Sequence, residues 1–375
     1  MMGDGNMPHY NAYESFKTKK SLEKKRRAKE KAFGKKNEFS DSFVVNSSDD
    51  YGVVIEVRYD DAFVLYNNNV VLAKLRKDIN LVCNQAIFPG DKVVVEQNEK
   101  NFVIQHLIKR TSLLSRVKKD RTRLDDIGTI KNFAANVDTA VIVVAAKEPP
   151  LHPKFIDRYL MILQNNDIPT VICLNKSDLK TDAEEKILDV YRNLNIPVVE
   201  TSTYAHVGIE KLESYLRGKQ AIFVGNSGVG KSSLINSIMN SNQIKTSHVS
   251  EKSKRGRHTT TTSKYYIWDE NSSIIDTPGI RSLDVSSFSP LEIQDYFPEF
   301  DDWKGKCKYN DCLHYTEPYE SCIVKQAVAS GLINADRYES YLRILSGVLN
   351  TDKDYEDILN ELLGDSQKKT NTLYK

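Results

Sequence analysis

The sequence predicts a multi-domain chain in which a small β-barrel comes first, a mostly parallel α/β domain follows, and a helical domain comes last. Short β-type runs separated by turn residues occupy residues 43–113, as in a barrel. Apolar strands alternate with helical stretches over residues 114–288, which is typical of a sheet covered on both faces. A helical segment with a tight Cys/His cluster occupies residues 289–350. The 375 residues, 40% of them hydrophobic, suffice to build these cores.

The two ends of the chain are polar. Residues 1–42 are predicted to be a disordered basic tail, and residues 351–375 a C-terminal extension. Residues 17–36 contain eleven Lys or Arg against two Glu, although the whole chain has a net charge of only +2. Such a tail attracts phosphate groups in a salt-dependent way; the alternative is that it only keeps the protein in solution.

Hydropathy and cysteine spacing indicate the cellular compartment in which the protein is expected to work. The chain has no apolar run long enough to cross a membrane and no secretory signal near its first residues. Its five cysteines do not show the spacing of a disulfide framework. We therefore expect a cytoplasmic protein with no membrane partner.

The first domain is predicted to be an OB-fold, a five-stranded barrel that commonly binds RNA. The predicted strands are Tyr51–Tyr59, Ala62–Tyr66, Val70–Leu75, Lys92–Gln97 and Phe102–Leu107. Basic residues on and just after the barrel are candidate RNA contacts, each of which could equally be an ordinary solvated charge. They are Lys74, Arg76, Lys77, Lys109, Arg110 and Arg116.

A phosphate-binding loop follows the apolar run Ala221–Val224. Its pattern is G-x-x-x-x-G-K-[ST], formed by Gly225, Asn226, Ser227, Gly228, Val229, Gly230, Lys231 and Ser232. Backbone amides of such a loop surround phosphates at a helix N-terminus, and the predicted helix starts at Ser233, which is included in the site. Lys231 is predicted to reach the β- and γ-phosphates, and Ser232 to bind Mg²⁺.

A guanine-reading sequence ends the predicted strand Thr170–Leu174. It consists of Asn175, Lys176, Ser177 and Asp178. The carboxylate of Asp178 can accept two hydrogen bonds from guanine N1–H and N2–H₂, whereas adenine offers neither donor there. Lys176 is expected to pack its stem along the ring. After the strand Pro197–Glu200, the hydroxyls and backbone amides of Thr201, Ser202 and Thr203 are expected to support the guanine O6.

Two further segments have the composition of nucleotide switches. Asp276, Thr277, Pro278 and Gly279 follow an apolar strand; Asp276 would hold the Mg²⁺ shell through water, and the Gly279 N–H would sense the γ-phosphate. Between the phosphate loop and this motif lies a threonine run, residues 259–262. One of these threonines should bind Mg²⁺, and Thr260 is taken as the candidate, although spacing does not decide among the four.

The Cys/His cluster predicts a structural zinc site. Cys307, Cys312, His314 and Cys322 supply three thiolates and one imidazole, which is a sufficient set for a closed tetrahedral zinc ion. Cysteines that merely pack are the alternative. No general-base motif accompanies the cluster, so a structural role is favoured over a catalytic one.

The order of these motifs is rotated relative to Ras-like GTPases, because the base reader comes before the phosphate loop. The α/β domain is therefore predicted to be a circularly permuted P-loop GTPase domain. With a barrel before it and a Cys/His cluster after it, the chain resembles the RsgA (YjeQ/EngC) family over roughly residues 50–345. The resemblance implies a GTPase that acts on the small (30S) ribosomal subunit and 16S rRNA late in maturation, with subunit-stimulated turnover. We expect a monomer that binds GTP and GDP.

The resemblance also indicates a catalytic residue. Ile280 stands where many GTPases place a glutamine that orients the attacking water, and isoleucine cannot do so. His258 matches the histidine of the family's Gly-x-His-Thr-Thr motif and is the candidate to position that water, with Lys231 and Thr260 completing the predicted catalytic set.

Two alternatives remain for the function of the whole chain: a permuted GTPase of the large subunit, and an RNA-binding assembly scaffold with little turnover.

Overall fold

The computed structural model describes residues 44–45, 48, 50–58, 61–75, 87–98, 101–118, 129–241, 264–269, 271–276, 285, 288–349 and 355–363. The predictions for residues 1–42 lie outside this part of the chain. The same is true of Arg76, Lys77, His258, Thr260, Gly279 and Ile280. Every helix within the described residues is too short or too polar to span a bilayer.

The first domain is a closed barrel, as predicted. Its strands are β1 (Val44–Val45), β2 (Gly52–Val57), β3 (Asp61–Tyr66), β4 (Asn69–Leu75), β5 (Lys92–Asn98) and β6 (Asn101–Ile108). Hydrogen-bonded neighbours run β2–β3–β4–β6–β5 and back to β2, and the pair β4–β6 is parallel. This is the strand order of an OB-fold, with β1 added to the edge of β6. Alternating apolar side chains, such as Val54, Val64 and Ile104, fill its interior.

A central α/β sheet follows the barrel. Its strands are β9 (Thr139–Ala145), β10 (Thr170–Asn175), β11 (Val198–Glu200), β12 (Gln220–Val224), β13 (Lys264–Asp269) and β14 (Ser272–Asp276). Their order is β11-β10-β9-β12-β14-β13, and β13 is antiparallel to β14. The other pairs are parallel, so the carboxyl ends of β9, β10, β11, β12 and β14 share one edge. All of β9 is buried, which explains its unbroken apolar sequence.

Helices cover both faces of this sheet. They are α1 (Pro153–Asn165), α2 (Asp182–Asn193), α3 (Ile209–Leu216) and α4 (Lys231–Ser241). One face packs against the core that contains α1 and α2, and the other against the core that contains α3 and α4. The pattern predicted from sequence is confirmed here within a residue or two at each strand end.

One element was not anticipated. A hairpin of β7 (Leu113–Lys118) and β8 (Thr129–Ala135) joins the barrel to the central sheet. The sequence of this segment shows no clear alternation of apolar and polar positions, and the residues between the two strands are largely charged. At its base, Asn136 Nδ2 donates to the carbonyl of Gly90 at 2.9 Å, and Gln220 Nε2 donates to the carbonyl of Ala135 at 2.7 Å. The hairpin therefore ties the barrel to the amino-terminal end of β12.

The helical domain consists of α5 (Pro290–Ile293), α6 (Ile323–Ala329), α7 (Ala335–Leu349) and α8 (Tyr355–Leu363), with short 3₁₀ turns between them. Helix α8 lies inside the predicted C-terminal extension, and its Ile358 and Leu359 are buried in the core of the helical domain. That core is continuous with the face of the central sheet that carries α1.

A buried charge cluster lies where α7 meets α1. The guanidinium of Arg337 on α7 donates to the carboxylates of Asp157 on α1 and Glu299, and Tyr191 Oη donates to Asp157 Oδ1 at 2.8 Å. Arg337 is 4% exposed and Asp157 3%, so this is a desolvated ion pair. Burial raises the pKa of Asp157, and the adjacent Arg337 opposes that rise. The cluster fixes the helical domain against the central one.

Candidate nucleotide site and metal centre

The phosphate loop lies between β12, which ends at Val224, and α4, which begins at Lys231. Lys231 Nζ donates to the carbonyls of Gly225 and Asn226 at 2.8 and 2.7 Å, which holds the ammonium inside the curve of the loop. A Cβ added at Gly225 would lie 2.2 Å from the carbonyl oxygen of Val143, so the backbone passes too close to β9 for any side chain. The arrangement matches the strand–loop–helix context that the motif requires.

The base-reading loop is joined directly to the phosphate loop. Asn175, 1% exposed at the end of β10, donates from Nδ2 to the carbonyl of Val229 at 2.9 Å. A Cβ on Gly230, whose φ is +92°, would lie 2.2 Å from that same Nδ2. Thr201 Oγ1 donates to Asn175 Oδ1 at 3.3 Å, and so fixes the amide orientation. Thr201 belongs to the loop predicted to support the base, and the structure places its hydroxyl on Asn175.

Asp178 has a dedicated hydrogen-bond partner. The hydroxyl of Ser202 donates to Asp178 Oδ1, and the backbone N–H of Ala205 donates to that hydroxyl at 3.0 Å. Ser202 belongs to the loop predicted to support the guanine O6, and in the structure its hydroxyl contacts the carboxylate of Asp178. Thr203 lies next to it, half-buried, and Ser177 N–H donates to the carbonyl of Thr201 at 3.0 Å.

Lys176 is held on the opposite side of this loop. It occupies the left-handed region with φ of +57°, and its ammonium donates to the carbonyl of Glu148, in the segment after β9. Sequence reasoning did not identify Glu148. Since β9 lies beside β10 on the side away from β11, the ammonium of Lys176 is drawn toward the phosphate-loop half of the site.

Asp276 ends β14 and is paired in register with Phe223 of β12, one residue before the strand end that leads into the phosphate loop. Ser232 and Ser233 form the exposed first turn of α4. The predicted phosphate-side residues Asp276, Lys231 and Ser232 are therefore gathered at one sheet edge, together with Asn175 and Asp178. Of the predicted switch residues, His258, Thr260 and Gly279 lie outside the described residues.

The Cys/His cluster closes into a single centre. One ligand atom each from Cys307, Cys312, His314 and Cys322 lies within 4.8 Å of all the others. His314 Nδ1 is 3.6 Å from Cys307 Sγ and 3.3 Å from the Sγ atoms of Cys312 and Cys322. Bonds of about 2.1–2.3 Å in a tetrahedral metal site place neighbouring ligand atoms about 3.5–3.8 Å apart. These four residues therefore fit one metal ion.

Surrounding groups orient these ligands. The carbonyl oxygen of the Gln294 side chain lies 3.0 Å from His314 Nε2, so the protonated Nε2 donates outward and Nδ1 is left for the metal. Tyr338 Oη donates to the carbonyl of His314 at 2.6 Å, and the carboxylate of Glu317 accepts the N–H groups of Leu313 and Tyr315 at 2.7 and 2.8 Å. Gln294 precedes His314 by twenty residues, and its sequence neighbours give no signal of the contact.

Burial and charge repulsion among the ligands of this centre favour a bound cation. Burial raises the pKa of the Cys322 thiol to about 11, and burial lowers the pKa of His314 to about 4. Three sulfurs, of which those of Cys312 and Cys322 are buried and that of Cys307 is half-buried, can all be thiolates only beside a positive charge that offsets their mutual repulsion and desolvation.

Comparison with known proteins agrees with this geometry. The family model described as RsgA GTPase matches residues 107–286. The small ribosomal subunit biogenesis GTPase RsgA of Thermotoga petrophila is 38% identical over 288 residues, which is 76% of this chain and 90% of that protein. The protein of the same name from Thermotoga maritima is 36% identical over equal shares.

Two solved structures have the same architecture. YjeQ from Thermotoga maritima has a TM-score of 0.62 and 32% identity, and the match covers 80% of this chain and 99% of that one. YloQ, described as a circularly permuted GTPase, has a TM-score of 0.59 and 27% identity, with 82% and 97% covered. This chain belongs to the RsgA GTPase family.

Proposed function

We propose that this protein is a GTPase of small ribosomal subunit biogenesis. The observation that carries the proposal is the hydrogen bond from Asn175 to Val229, which joins a guanine-reading loop to a phosphate loop in one rigid edge. Relatives that cover most of the chain are named small ribosomal subunit biogenesis GTPases. GTP is therefore the substrate, and GDP and phosphate are the products.

The site residues divide by the part of the nucleotide that they serve. Asp178, oriented by Ser202, accepts from guanine N1–H and N2–H₂, and Lys176 packs along the ring. The loop Gly225–Gly230 and Lys231 surround the phosphates, with Ser233 at the same helix start. Asp276 would hold the Mg²⁺ shell through water, and the Gly279 N–H would sense the γ-phosphate. Ser232 and Thr260 would hold Mg²⁺, which neutralises charge on the phosphates when bound.

His258 supplies the group that the chain otherwise lacks. Since Ile280 cannot hydrogen-bond a water, a neutral His258 imidazole accepts a hydrogen bond from the nucleophilic water and orients it toward the γ-phosphate. Its segment, residues 252–258, is basic and contains glycine, so rRNA can order it on the subunit. Turnover would then be slow in the free protein and faster on the subunit.

The metal centre takes zinc and has a structural role. Three cysteines and one histidine close a tetrahedral set, with no open position for a substrate. His314, Cys307, Cys312 and Cys322 would hold the ion and cross-link the loop between α5 and α6. We also propose that the protein is a monomer, and that the barrel and basic tail contact 16S rRNA.

The test is GTP turnover by the purified protein, alone and with isolated subunits. We expect small subunits to accelerate phosphate release, large subunits not to do so, and Lys231→Ala to abolish both rates. Stimulation by large subunits only would favour a GTPase of the large subunit. No stimulation by either, together with binding to small subunits, would favour an assembly scaffold.

A further inference from the structure

Tyr204 lies beside the base-reading loop with its side chain almost entirely in solvent. It is 89% exposed, more than any other large hydrophobic side chain in the described part of the chain. Val207 at 56% and Leu179 at 44% are exposed near it. This solvent-exposed aromatic ring lies next to a site for a planar ligand, and it has no role in the proposed function described so far.

The backbone that carries Tyr204 is fixed relative to Asp178. Ser202 N–H donates to the carbonyl of Val207 at 3.0 Å, and Val207 N–H donates back to Ser202 at 3.1 Å, which closes a short loop. Inside it, Ala205 N–H donates to the Ser202 hydroxyl, and that hydroxyl donates to Asp178. Tyr204 is two residues from Ser202, so a tyrosine side chain there reaches a base bound to Asp178.

Sheet topology places the loop with Tyr204 and the carbonyl that holds the Lys176 ammonium on opposite sides of the end of β10. The base-reading loop leaves β10, the loop with Tyr204 leaves β11, and the carbonyl that holds the Lys176 ammonium follows β9. Because β9 and β11 lie on opposite sides of β10, a base at the end of β10 has the Lys176 ammonium toward one side. The loop that carries Tyr204 leaves the sheet on the other side.

We propose that Tyr204 stacks on the guanine base and is a nucleotide-positioning residue of this chain. The inference rests on the proposed GTPase function and adds an aromatic contact to it. Stacking is insensitive to exocyclic groups, because every purine presents a π-face, so Tyr204 sets affinity while Asp178 sets the choice of base. The ring has little conformational freedom to lose, which suits a contact made only when nucleotide binds.

The test measures Kd by calorimetry for GDP and for inosine diphosphate, which lacks the 2-amino group. Tyr204→Ala should weaken binding of both nucleotides by the same factor, roughly 5- to 100-fold. Tyr204→Phe should bind like the parent, since it keeps the ring. Tyr319→Ala, a similarly accessible aromatic at 46% exposure in the helical domain, is the matched control and should change nothing. Tyr204→Trp should show indole quenching when GDP binds.

Two results would overturn the proposal. One is a Kd for GDP within twofold of the parent in Tyr204→Ala. The other is an unchanged Kd with weakened binding to small subunits, which would make the ring a partner contact. Failure of the proposed function is seen separately: Asp178→Asn would then leave the preference for GDP over inosine diphosphate unchanged, whatever Tyr204→Ala does.

Discussion

Asn175 and Val229 are 54 residues apart in sequence, and a 2.9 Å hydrogen bond from the Asn175 side-chain amide to the Val229 carbonyl holds them together. Both groups are buried. Through this bond the loop that reads the base and the loop that holds the phosphates share one support. This side chain therefore links the two halves of the proposed nucleotide site directly.

Asn175→Ala should weaken both GDP and GTP binding by roughly tenfold or more, because the Val229 carbonyl loses a buried donor and the two loops are released from each other. Calorimetric Kd values will check this. Asn193→Ala, on the exposed end of α2, is the control. Weakening of GTP alone would instead assign Asn175 to γ-phosphate sensing.

Asp178→Asn should reduce GDP affinity by roughly 5- to 100-fold or more, because an amide NH₂ would face a guanine donor. Ser202→Ala should have a smaller effect in the same direction, since it removes only the group that orients the carboxylate. Equal GDP affinity of Asp178→Asn and the parent would reject the assignment. A larger loss in Ser202→Ala than in Asp178→Asn would show that the hydroxyl contacts nucleotide itself.

The purified protein should contain one zinc per chain, measured by elemental analysis. Cys312→Ser should lose the metal and melt at lower temperature, because the loop between α5 and α6 depends on the ion for its conformation. Cys173→Ala is the control: its thiol is buried in β10, away from the cluster, and zinc content should be unchanged. A metal-free protein with the parent's melting temperature would contradict a structural centre.

Arg337→Met should lower the free energy of unfolding by about 3–5 kcal/mol, because it leaves Asp157 buried without its partner. Arg343→Met is the control on the same helix; its pair with Glu339 is partly exposed at 31% and 16% and should contribute less than about 1 kcal/mol. Urea unfolding measures both.

The same variant should have an altered pH dependence. Burial raises the pKa of Asp157, and without Arg337 only the hydrogen bonds from Ser340 and Tyr191 oppose the rise, so the folded state keeps a proton that the unfolded state releases above about pH 4. The stability of Arg337→Met should therefore fall as pH rises from that value through the raised folded pKa. Adding Asp157→Asn should remove this slope. A pH-independent loss would mean that Arg337 acts by packing alone.

His258→Ala should lower subunit-stimulated GTP turnover by roughly 100-fold or more while GDP affinity and subunit binding stay at the parent's values. The reason is that a water-positioning group acts only on the reacting phosphate. Phosphate release with saturating small subunits is the measurement. Full stimulation of a variant that binds subunits normally would exclude His258 from this role.

The sequence was sufficient wherever a contact depends on local pattern. The alternation at Val54 and Val64 predicted barrel strands, and the glycine spacing from Gly225 to Gly230 predicted the phosphate loop, because both are set by neighbours along the chain. The four metal ligands fall within sixteen residues and could be grouped on sight. Cys322 joins them in the structure despite the long spacing before it.

Contacts between distant segments could not be predicted. The Ser202 hydroxyl was assigned to the base because nothing near it in sequence shows that Asp178 lies within its reach. Gln294 and Glu148 are ordinary polar residues in sequence, and only the fold brings them to His314 and Lys176. A polar side chain's partner is decided by packing, which a linear pattern does not encode.

The buried pair of Asp157 and Arg337 also has a consequence for biosynthesis. The two residues are 180 positions apart, so a ribosome working at 5–20 residues per second makes Arg337 about 10–40 s after Asp157. Throughout that time the helical domain is not yet there to pack against its face of α1, and Asp157 has no guanidinium group to pair with. The nascent chain must keep this face hydrated or shielded, and docking of α7 is among the last steps by which the protein reaches its final form.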